Sequence, residues 1–222
     1  MHATRRAFVA GGLASLALPS FSQGKNAPGI TDTEIKIGQT FATSGPAGAY
    51  SSISKADLGY FKMINEKGGI NGRKLNLITL DDGYSPPRAL ELTRRLVEQD
   101  QVAFIFGTLG TAINKATQRY LNQKGVPQLL ISTQDPSFGD PKTFPWTMGW
   151  QSTTELEGTI FGKYILEKAP KAKIGMLYQN DDFGKGYMRG IRKGLGDKAD
   201  AMVVKAESYE TSDATIDSQI TS

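Results

Sequence analysis

Residues 102–111 read Val102-Ala103-Phe104-Ile105-Phe106-Gly107-Thr108-Leu109-Gly110-Thr111. Five apolar residues in a row are typical of a strand that is buried on both faces of a parallel sheet. The glycine-rich turn after them leads into a helical pattern over residues 112–123, which ends at Gly125. A buried strand, a short loop and a helix form one βα unit, and such units build parallel sheets that helices cover.

The same alternation of short apolar runs and helical patterns extends on both sides of this unit. Strand patterns cover residues 34–41, 74–80 and 129–132, and helical patterns cover residues 51–67 and the segment from Ser85-Pro86. The helix over 51–67 carries four apolar side chains on one face, Ile53, Ala56, Tyr60 and Ile64. Strands that recur about every 30 residues with helices between them form right-handed βαβ crossovers. We therefore predict an α/β fold with open parallel sheets and helices on both faces.

Residues 135–150 interrupt this rhythm. The segment contains three prolines and both tryptophans, Trp146 and Trp150. Because prolines in this density disfavour a helix, we interpret the segment as an extended crossover and the two tryptophans as packing anchors between lobes.

The alternation resumes at residue 151 and predicts a second α/β lobe. Ser152-x-x-Glu155 is a capping box, and the helix after it carries apolar side chains on one face, Leu156, Ile160 and Tyr164. Further predicted elements are strands over 174–178 and 201–206, a helix over 187–195 and a last helix from Ser212 onward. Two strands cannot close a core of their own. We therefore expect both lobes to be incomplete and the chain to be truncated at its C-terminus.

The N-terminal segment has the features of an export signal. Arg5-Arg6 precedes an apolar run over residues 7–18, and small residues up to Ser22 suit cleavage before Gln23. The run is shorter than the roughly 20 apolar residues of a membrane-spanning helix, which disfavours an anchor. We predict a cleaved twin-arginine-like signal over residues 1–22, with an ordinary secretory signal as the alternative, and a periplasmic protein. The remaining predicted divisions are a spacer (23–33), a first lobe (34–150) and a second lobe (151–222).

The composition excludes most catalytic chemistry. The chain has 222 residues, no cysteine and one histidine, His2, which cleavage of the predicted signal would remove. Cysteine nucleophiles, thiolate zinc sites and disulfides are therefore impossible, and the sequence lacks G-x-S-x-G, dinucleotide and phosphate-loop motifs. A hydrolase or dehydrogenase is accordingly a weak alternative. The net charge of +4 does not indicate nucleic-acid binding, and we predict a non-enzymatic protein without cofactor or metal.

The loops after the strands are the expected binding site, because ligands of open parallel sheets lie beyond the carboxyl ends of the strands. Tyr50 ends the loop after the first strand and could form a wall of the site. Leu109, Gly110 and Thr111 lead into a helix whose free amides, with the Thr111 hydroxyl, suit a carboxylate. Thr111 could equally be no more than the N-cap of that helix.

Two acidic pairs follow strands as well. Asp81-Asp82 could suggest a metal site or a phospho-acceptor, but Gly83-Tyr84-Ser85 supplies no further ligands of the EF-hand type. We expect helix capping from this pair, and the same role for the acidic residues of Asn180-Asp181-Asp182.

Several motifs in order carry a family resemblance: Ser44-Gly45-Pro46, Asn65-x-x-Gly68-Gly69-Ile70-Asn71-Gly72-Arg73, the turn from Gly107 to Thr111, Gly125-Val126-Pro127, and Tyr178-Gln179-Asn180-Asp181-Asp182-Phe183-Gly184. Over residues 35–222 the chain resembles the type I periplasmic binding proteins of the branched-chain amino acid (leucine/isoleucine/valine) class. These are solute receptors of ABC importers. Residues 144–151 resemble a subgroup of which some members take aromatic or other organic acids.

The resemblance implies a two-lobe clamp that closes on a small ligand held by its carboxylate. By position, Thr111 matches the family's hydroxyl at the carboxylate, and Tyr50 and Phe183 match its aromatic walls. Ser132, Thr133 and Gln134 lie at the same end of the site, where the family commonly has small residues and a threonine. Gln134 departs from that pattern, so the ligand is either an amino acid or a related carboxylic acid, aromatic acids included. The family's acidic partner for a ligand ammonium lies beyond Ser222.

The expected protein partner is an ABC permease in the inner membrane. A periplasmic ligand sensor that feeds a signalling receptor is the alternative, since both functions need the same clamp.

Overall fold

The computed structural model describes residues 27–222. The predicted export signal and His2 lie outside the described residues. The strands are β1 (Glu34–Phe41), β2 (Lys74–Asp81), β3 (Phe104–Phe106), β4 (Gln128–Ile131), β5 (Thr147–Gly149), β6 (Ile174–Gln179) and β7 (Val203–Tyr209). The α-helices are α1 (Ser51–Glu66), α2 (Pro86–Glu98), α3 (Thr111–Lys124), α4 (Thr154–Lys168), α5 (Asp182–Leu195), α6 (Ala199–Met202) and α7 (Asp217–Thr221). None of the helices within residues 27–222 is both long and apolar enough to span a membrane.

The first sheet contains five parallel strands in the order β2-β1-β3-β4-β5. Side chains alternate across β1: Gln39 faces α1, where it hydrogen-bonds to Ser54 and Asp57, and Gly38 faces Leu96 of α2. Helices therefore cover both faces, and the predicted α/β fold with a parallel sheet is confirmed. Burial of the core between the sheet and helices α2 and α3 supplies the main driving force for folding of this unit.

The buried face of α1 differs from the predicted one. Ile53, Ala56 and Tyr60 are exposed, and the fully buried residue of the helix is Ser54. The side chain that α1 meets on β1 is the amide of Gln39, which accepts a hydrogen bond from the Ser54 hydroxyl at 2.9 Å. The polar partner on the sheet explains why a polar helix face is turned inward.

Residues 135–150 are more structured than the predicted crossover. Pro136–Gly139 form a 3₁₀ turn with Phe138 buried, and Thr147–Gly149 form β5 at the edge of the first sheet. The tryptophans are not buried anchors, because Trp146 is 45 % and Trp150 is 61 % exposed. A three-residue strand that begins two residues after Pro145 is too short to produce a recognisable strand pattern.

The second sheet consists of the parallel strands β6 and β7. Helices α4 and α5 pack closely through glycines, since a methyl group on Gly158 or Gly162 would lie within 3.0 Å of the α5 backbone. Leu156, Ile160 and Tyr164, predicted as the apolar face of α4, are instead 54–59 % exposed. Close approach of the two backbones thus joins this helix pair, and Ile165 and Leu166 of α4 pack with Leu195 of α5 in the same core cluster.

Several predicted boundaries in this part of the chain are wrong. Helix α5 begins at Asp182, five residues before the predicted start, and β7 runs over Val203–Tyr209 because the short helix α6 occupies Ala199–Met202. The N-cap of α4 is Thr153, not Ser152, and its side chain accepts from the Leu156 amide at 3.2 Å. The last helix is confined to Asp217–Thr221.

The described part of the predicted spacer packs on the first sheet. Ile30 forms an isolated bridge with Ile35, and the Gly29 carbonyl accepts from the Lys36 amide at 2.8 Å. These residues therefore do not behave as a free linker.

Asn65 covers the outer edge of the first sheet at β2. Its side-chain amide donates to the Leu75 carbonyl at 2.7 Å and accepts from the Leu75 amide at 2.8 Å. The side chain takes the place of a neighbouring strand there, which protects part of an edge that could otherwise pair with another chain.

Candidate ligand-binding cleft

A cavity of about 650 Å³ lies between the loops of the two sheets, at the carboxyl ends of the strands. Its volume is in the range of small-molecule sites. All eight residues predicted from the sequence line this cavity: Tyr50, Leu109, Gly110, Thr111, Ser132, Thr133, Gln134 and Phe183. The structure thus brings together residues from four separate loops, as the rule for parallel sheets predicts.

The hydroxyl end of the cleft is built where α3 begins. Gly110 is the N-cap, with φ of +97°, and Thr111 is the first helical residue, so Thr111 is not the N-cap. The buried hydroxyls of Thr111 and Thr133 hydrogen-bond to each other. The first amides of a helix lack acceptors within the helix and favour negative charge. Two hydroxyls beside such amides form an anion-binding arrangement that needs no basic side chain.

Backbone hydrogen bonds fix this end rigidly. The Gly110 amide donates to the Ser132 carbonyl at 3.1 Å, and the Ser132 amide donates to the Thr108 carbonyl at 2.9 Å. Asn114, fully buried in α3, donates its side-chain amide to the carbonyls of Thr108 and Gly110, each at 2.8 Å. The loops after β3 and β4 therefore form one unit.

Asp81 fastens the loop that carries Tyr50, instead of capping a helix. It accepts from the amides of Thr43 and Ser44 at 2.9 and 3.1 Å and from the Ser44 hydroxyl at 2.6 Å. The hydrogen bond from Ser44, with those from the Thr43 and Gly83 amides, holds the pKa of Asp81 well below its usual value. This network positions the motif Ser44-Gly45-Pro46 at the mouth of the cleft.

Asp82 is buried behind the cleft and orients Tyr84. One oxygen of its carboxyl group accepts from the Tyr84 amide at 2.8 Å, and the other has no hydrogen-bond partner among the described residues. Burial raises the pKa of Asp82 to about 6, and the neighbouring Asp81 charge adds to the effect. Asp82 therefore holds the turn after β2 and caps no helix.

Four aromatic side chains line the cleft: Tyr50, Tyr84, Phe183 and Tyr209. Asp181 caps α5 by accepting from the Gly184 amide at 3.2 Å, which confirms the predicted capping role in this loop. Phe183, in the first turn of that helix, contacts the Tyr187 ring edge-on at a centroid distance of 5.4 Å. The apolar faces of these rings suit an apolar ligand body.

Gln134 lines the cleft, but its side-chain amide is already bonded. It donates to Glu157 at 2.6 Å and accepts from the Tyr187 hydroxyl at 3.0 Å, and Tyr187 also donates to Glu157 at 2.6 Å. Hydrogen bonds from Ser152, Tyr187 and Gln134 lower the pKa of Glu157, whereas burial and the Glu157 carboxylate raise the pKa of Tyr187 to about 12. Gln134 thus joins the loop after β4 to α4 and α5.

Lys115 forms a second link between the two units. From α3 it reaches Asp135 at 3.4 Å and also pairs with Asp182, the first residue of α5. The hydrogen bond from Lys115 lowers the pKa of Asp182, and the two carboxylates raise the pKa of Lys115 against the effect of its burial. The pair bridges the sheets behind the cavity.

The sequence prediction missed a set of lining residues: Pro46, Ala47, Ile53, Tyr84, Gln151, Gln179 and 209–216 except Ser212. Tyr84 follows β2, so the rule that located the other loops applies to it as well. Tyr209 ends β7, which extends three residues beyond the predicted strand. Glu210 and Asp213 add negative charge, and among residues 27–222 no lysine or arginine lines the cleft. The same residues contain no group of three or more side chains suited to a metal ion.

Comparisons with known proteins identify relatives of the chain. A family model described as periplasmic binding protein matches residues 34–222. The Leu/Ile/Val-binding protein of Escherichia coli (strain K12) is 25 % identical over 173 residues, which cover 77 % of this chain and 46 % of that protein. The chain thus spans about half the length of the curated relatives it matches.

Two solved structures share the fold. A fatty acid ABC transporter substrate-binding protein from Thermomonospora curvata superposes with a TM-score of 0.75 at 22 % identity, covering 89 % of this chain and 50 % of the other. An ABC transporter solute-binding protein from R. palustris in complex with benzoate gives a TM-score of 0.72 at 19 % identity, covering 85 % and 51 %.

Proposed function

Since the chain belongs to the type I periplasmic binding proteins of the branched-chain amino acid class, we propose that it is the extracytoplasmic solute receptor of an ABC importer. The observation that carries this proposal is the cleft itself. An uncharged hydroxyl end at a helix N-terminus and four aromatic side chains face the same cavity, and both sheets contribute to its lining. This arrangement suits a small ligand with an acid group and an apolar body.

The proposed ligand is an amino acid or a related carboxylic acid, aromatic acids included. Thr111, Ser132 and Thr133 would receive the carboxylate, and Tyr50, Leu109 and Phe183 would contact the apolar body. The names of the relatives support this range, because they cover leucine, isoleucine and valine, fatty acids and benzoate. Gln134 lines the cleft, and we propose that it also acts as a positioning residue through its bonds to Glu157 and Tyr187.

Binding would proceed by closure of two lobes, 34–150 and 151–222, on the ligand. The lobes would rotate about the connecting segment near residue 151. The Lys115–Asp182 pair and the bonds of Gln134 cross between the two sheets, so they would stabilise the closed arrangement. No bond of the ligand need change in this process, and the relatives named above are binding proteins, so we propose a role without catalysis.

The proposed location is the periplasm, reached after cleavage of the signal before Gln23. Release of the ligand to an inner-membrane ABC permease would complete transport. N-terminal sequencing of the exported protein tests the cleavage site, and a mature protein that retains residues 1–22 would contradict it.

Isothermal titration of the purified protein tests the binding function. The panel comprises leucine, isoleucine, valine, phenylalanine, benzoate and octanoate. We expect at least one of these to bind, and Thr111→Val to weaken that binding about tenfold through loss of one hydrogen bond to a charged group. Thr159→Val is the matched control, because among residues 27–222 the Thr159 hydroxyl donates only to the Glu155 carbonyl of its own helix, at 2.7 Å.

Absence of binding across the panel would refute the proposal. Transport is tested separately by uptake of the bound solute in a deletion strain. Normal uptake together with loss of a transcriptional or chemotactic response would identify a sensor instead.

A further inference from the structure

Tyr84 lies at the hydroxyl end of the cleft. Its ring lies against Gly110, the N-cap of α3: a methyl group on Gly110 would be 2.6 Å from one ring carbon and 2.7 Å from the phenolic oxygen. Position 110 therefore requires glycine for two reasons: a side chain there would displace the phenol, and a φ of +97° is a conformation that favours glycine. The phenolic group thus stands directly over the start of the helix.

The backbone and the opposite sheet hold Tyr84 in position. Its amide donates to Asp82 at 2.8 Å, and its own φ of +61° is a left-handed conformation that non-glycine residues seldom adopt. Gln179, at the end of β6, lies close enough to the phenolic group to lower the pKa of Tyr84, against the larger effect of burial. A side chain held by its backbone and by its contact with Gly110 can impose a specific geometry on a ligand.

We propose that Tyr84 is a specificity-determining residue of the cleft, which donates its phenolic O–H to the ionised acid group of the ligand beside Thr111. The inference rests on the proposed function. Within residues 27–222 the cleft lining has no basic side chain, so neutral donors must supply the stabilisation of a carboxylate. The proton stays on the phenol at neutral pH because burial raises the pKa of Tyr84.

A phenolic donor distinguishes an acid from its amide. A hydrogen bond to a charged acceptor contributes more to binding than one to a neutral acceptor. Glu210 and Asp213 at the opposite side of the cleft disfavour ligands with a second negative charge. Tyr84 would therefore select singly charged carboxylates over neutral isosteres of the same shape.

The experiment is titration of two matched ligand pairs, benzoate with benzamide and leucine with leucinamide, into wild-type protein and Tyr84→Phe. For the acid that the wild type binds, Tyr84→Phe should raise Kd roughly tenfold to a hundredfold, and for the corresponding amide by less than about threefold. Tyr120→Phe is the control, because Tyr120 lies on α3 outside the cleft and donates to Glu98 at 3.0 Å. Thermal melting of each variant checks that the fold is retained.

Each outcome decides between the two proposals. If the wild type binds neither acid, the same comparison is made with the acid of the six-ligand panel that it binds and the corresponding amide; if it binds none of the six, the proposed ligand class fails and this inference fails with it. If the wild type binds an acid and Tyr84→Phe changes Kd equally for acid and amide, or for neither, Tyr84 does not determine specificity while the receptor function stands. A lowered melting temperature with an unchanged ratio of the two Kd values would assign Tyr84 a purely structural role.

Discussion

Replacing Asp82 by asparagine should stabilise the protein above about pH 6 and have little effect at low pH. Asp82 is 1 % exposed, and one of its carboxyl oxygens has no hydrogen-bond partner among the described residues. The charges that face it are Asp81, which raises its pKa further, and Arg88, which opposes this. Asparagine keeps the acceptor for the Tyr84 amide, and its N–H₂ group can bond to the Thr40 hydroxyl, which lies close enough to Asp82 to lower the pKa of the carboxyl group.

The magnitude follows from the pKa. Burial raises the pKa of Asp82 from 3.8 to about 6 in the folded protein, and each pH unit corresponds to about 1.36 kcal/mol. The folded protein therefore binds a proton more tightly than the unfolded chain, and stability falls as pH rises from 3.8 to about 6. Above this window the ionised carboxylate costs about 3 kcal/mol. Below it, both states are protonated and the cost disappears.

Urea unfolding followed by circular dichroism, from about pH 4 to about pH 8, measures the effect. We expect Asp82→Asn to exceed the wild type by about 3 kcal/mol at the upper end, and the difference to vanish towards the lower end. Asp197→Asn, in an exposed turn, controls for the change in net charge. A difference that is constant with pH, or an Asp82→Asn protein less stable than the wild type at neutral pH, would refute the reasoning.

Three further substitutions test the packing and the links between the sheets. Gly190→Ala places a methyl group 2.4 Å from the Glu155 carbonyl oxygen. We expect it to lower the free energy of unfolding by about 2 kcal/mol or more. Gly175→Ala is the control and should cost much less, because a methyl group there meets nothing within 4 Å. Asn65→Leu leaves the Leu75 amide and carbonyl without their partner and should destabilise the protein by about 1–3 kcal/mol in the same assay. Lys115→Met removes the ion pair with Asp182. Small-angle scattering of the ligand-free variant should therefore give a larger radius of gyration than that of the ligand-free wild type. An unchanged radius of gyration would show that the pair does not restrain the lobes.

The sequence predicted most of the strands of the parallel sheet and the loops of the cleft because both depend on local features. Continuous apolar runs such as Val102–Phe106 mark buried strands, and the residues after each strand meet at one edge in any parallel sheet. Tyr50, Thr111 and Phe183 were located in this way. The role of Gln134 could not be predicted, because its partners Glu157 and Tyr187 lie 23 and 53 residues away along the chain.

The buried faces of α1 and α4 show where hydrophobic periodicity fails as a guide. In α4, Leu156, Ile160 and Tyr164 share one face at a spacing of four, but so do Thr154, Gly158 and Gly162, and the structure buries the second set. Helix α5 presents the matching row of Gly186, Gly190 and Gly194. When two such rows face each other, the helix backbones come into contact. The dispersion attraction between them stabilises the pair, and the spacing of apolar side chains does not predict it. Glycines four residues apart on two successive helices were therefore the informative pattern, and they also explain why residues 182–186 belong to a helix although their composition suggests a loop.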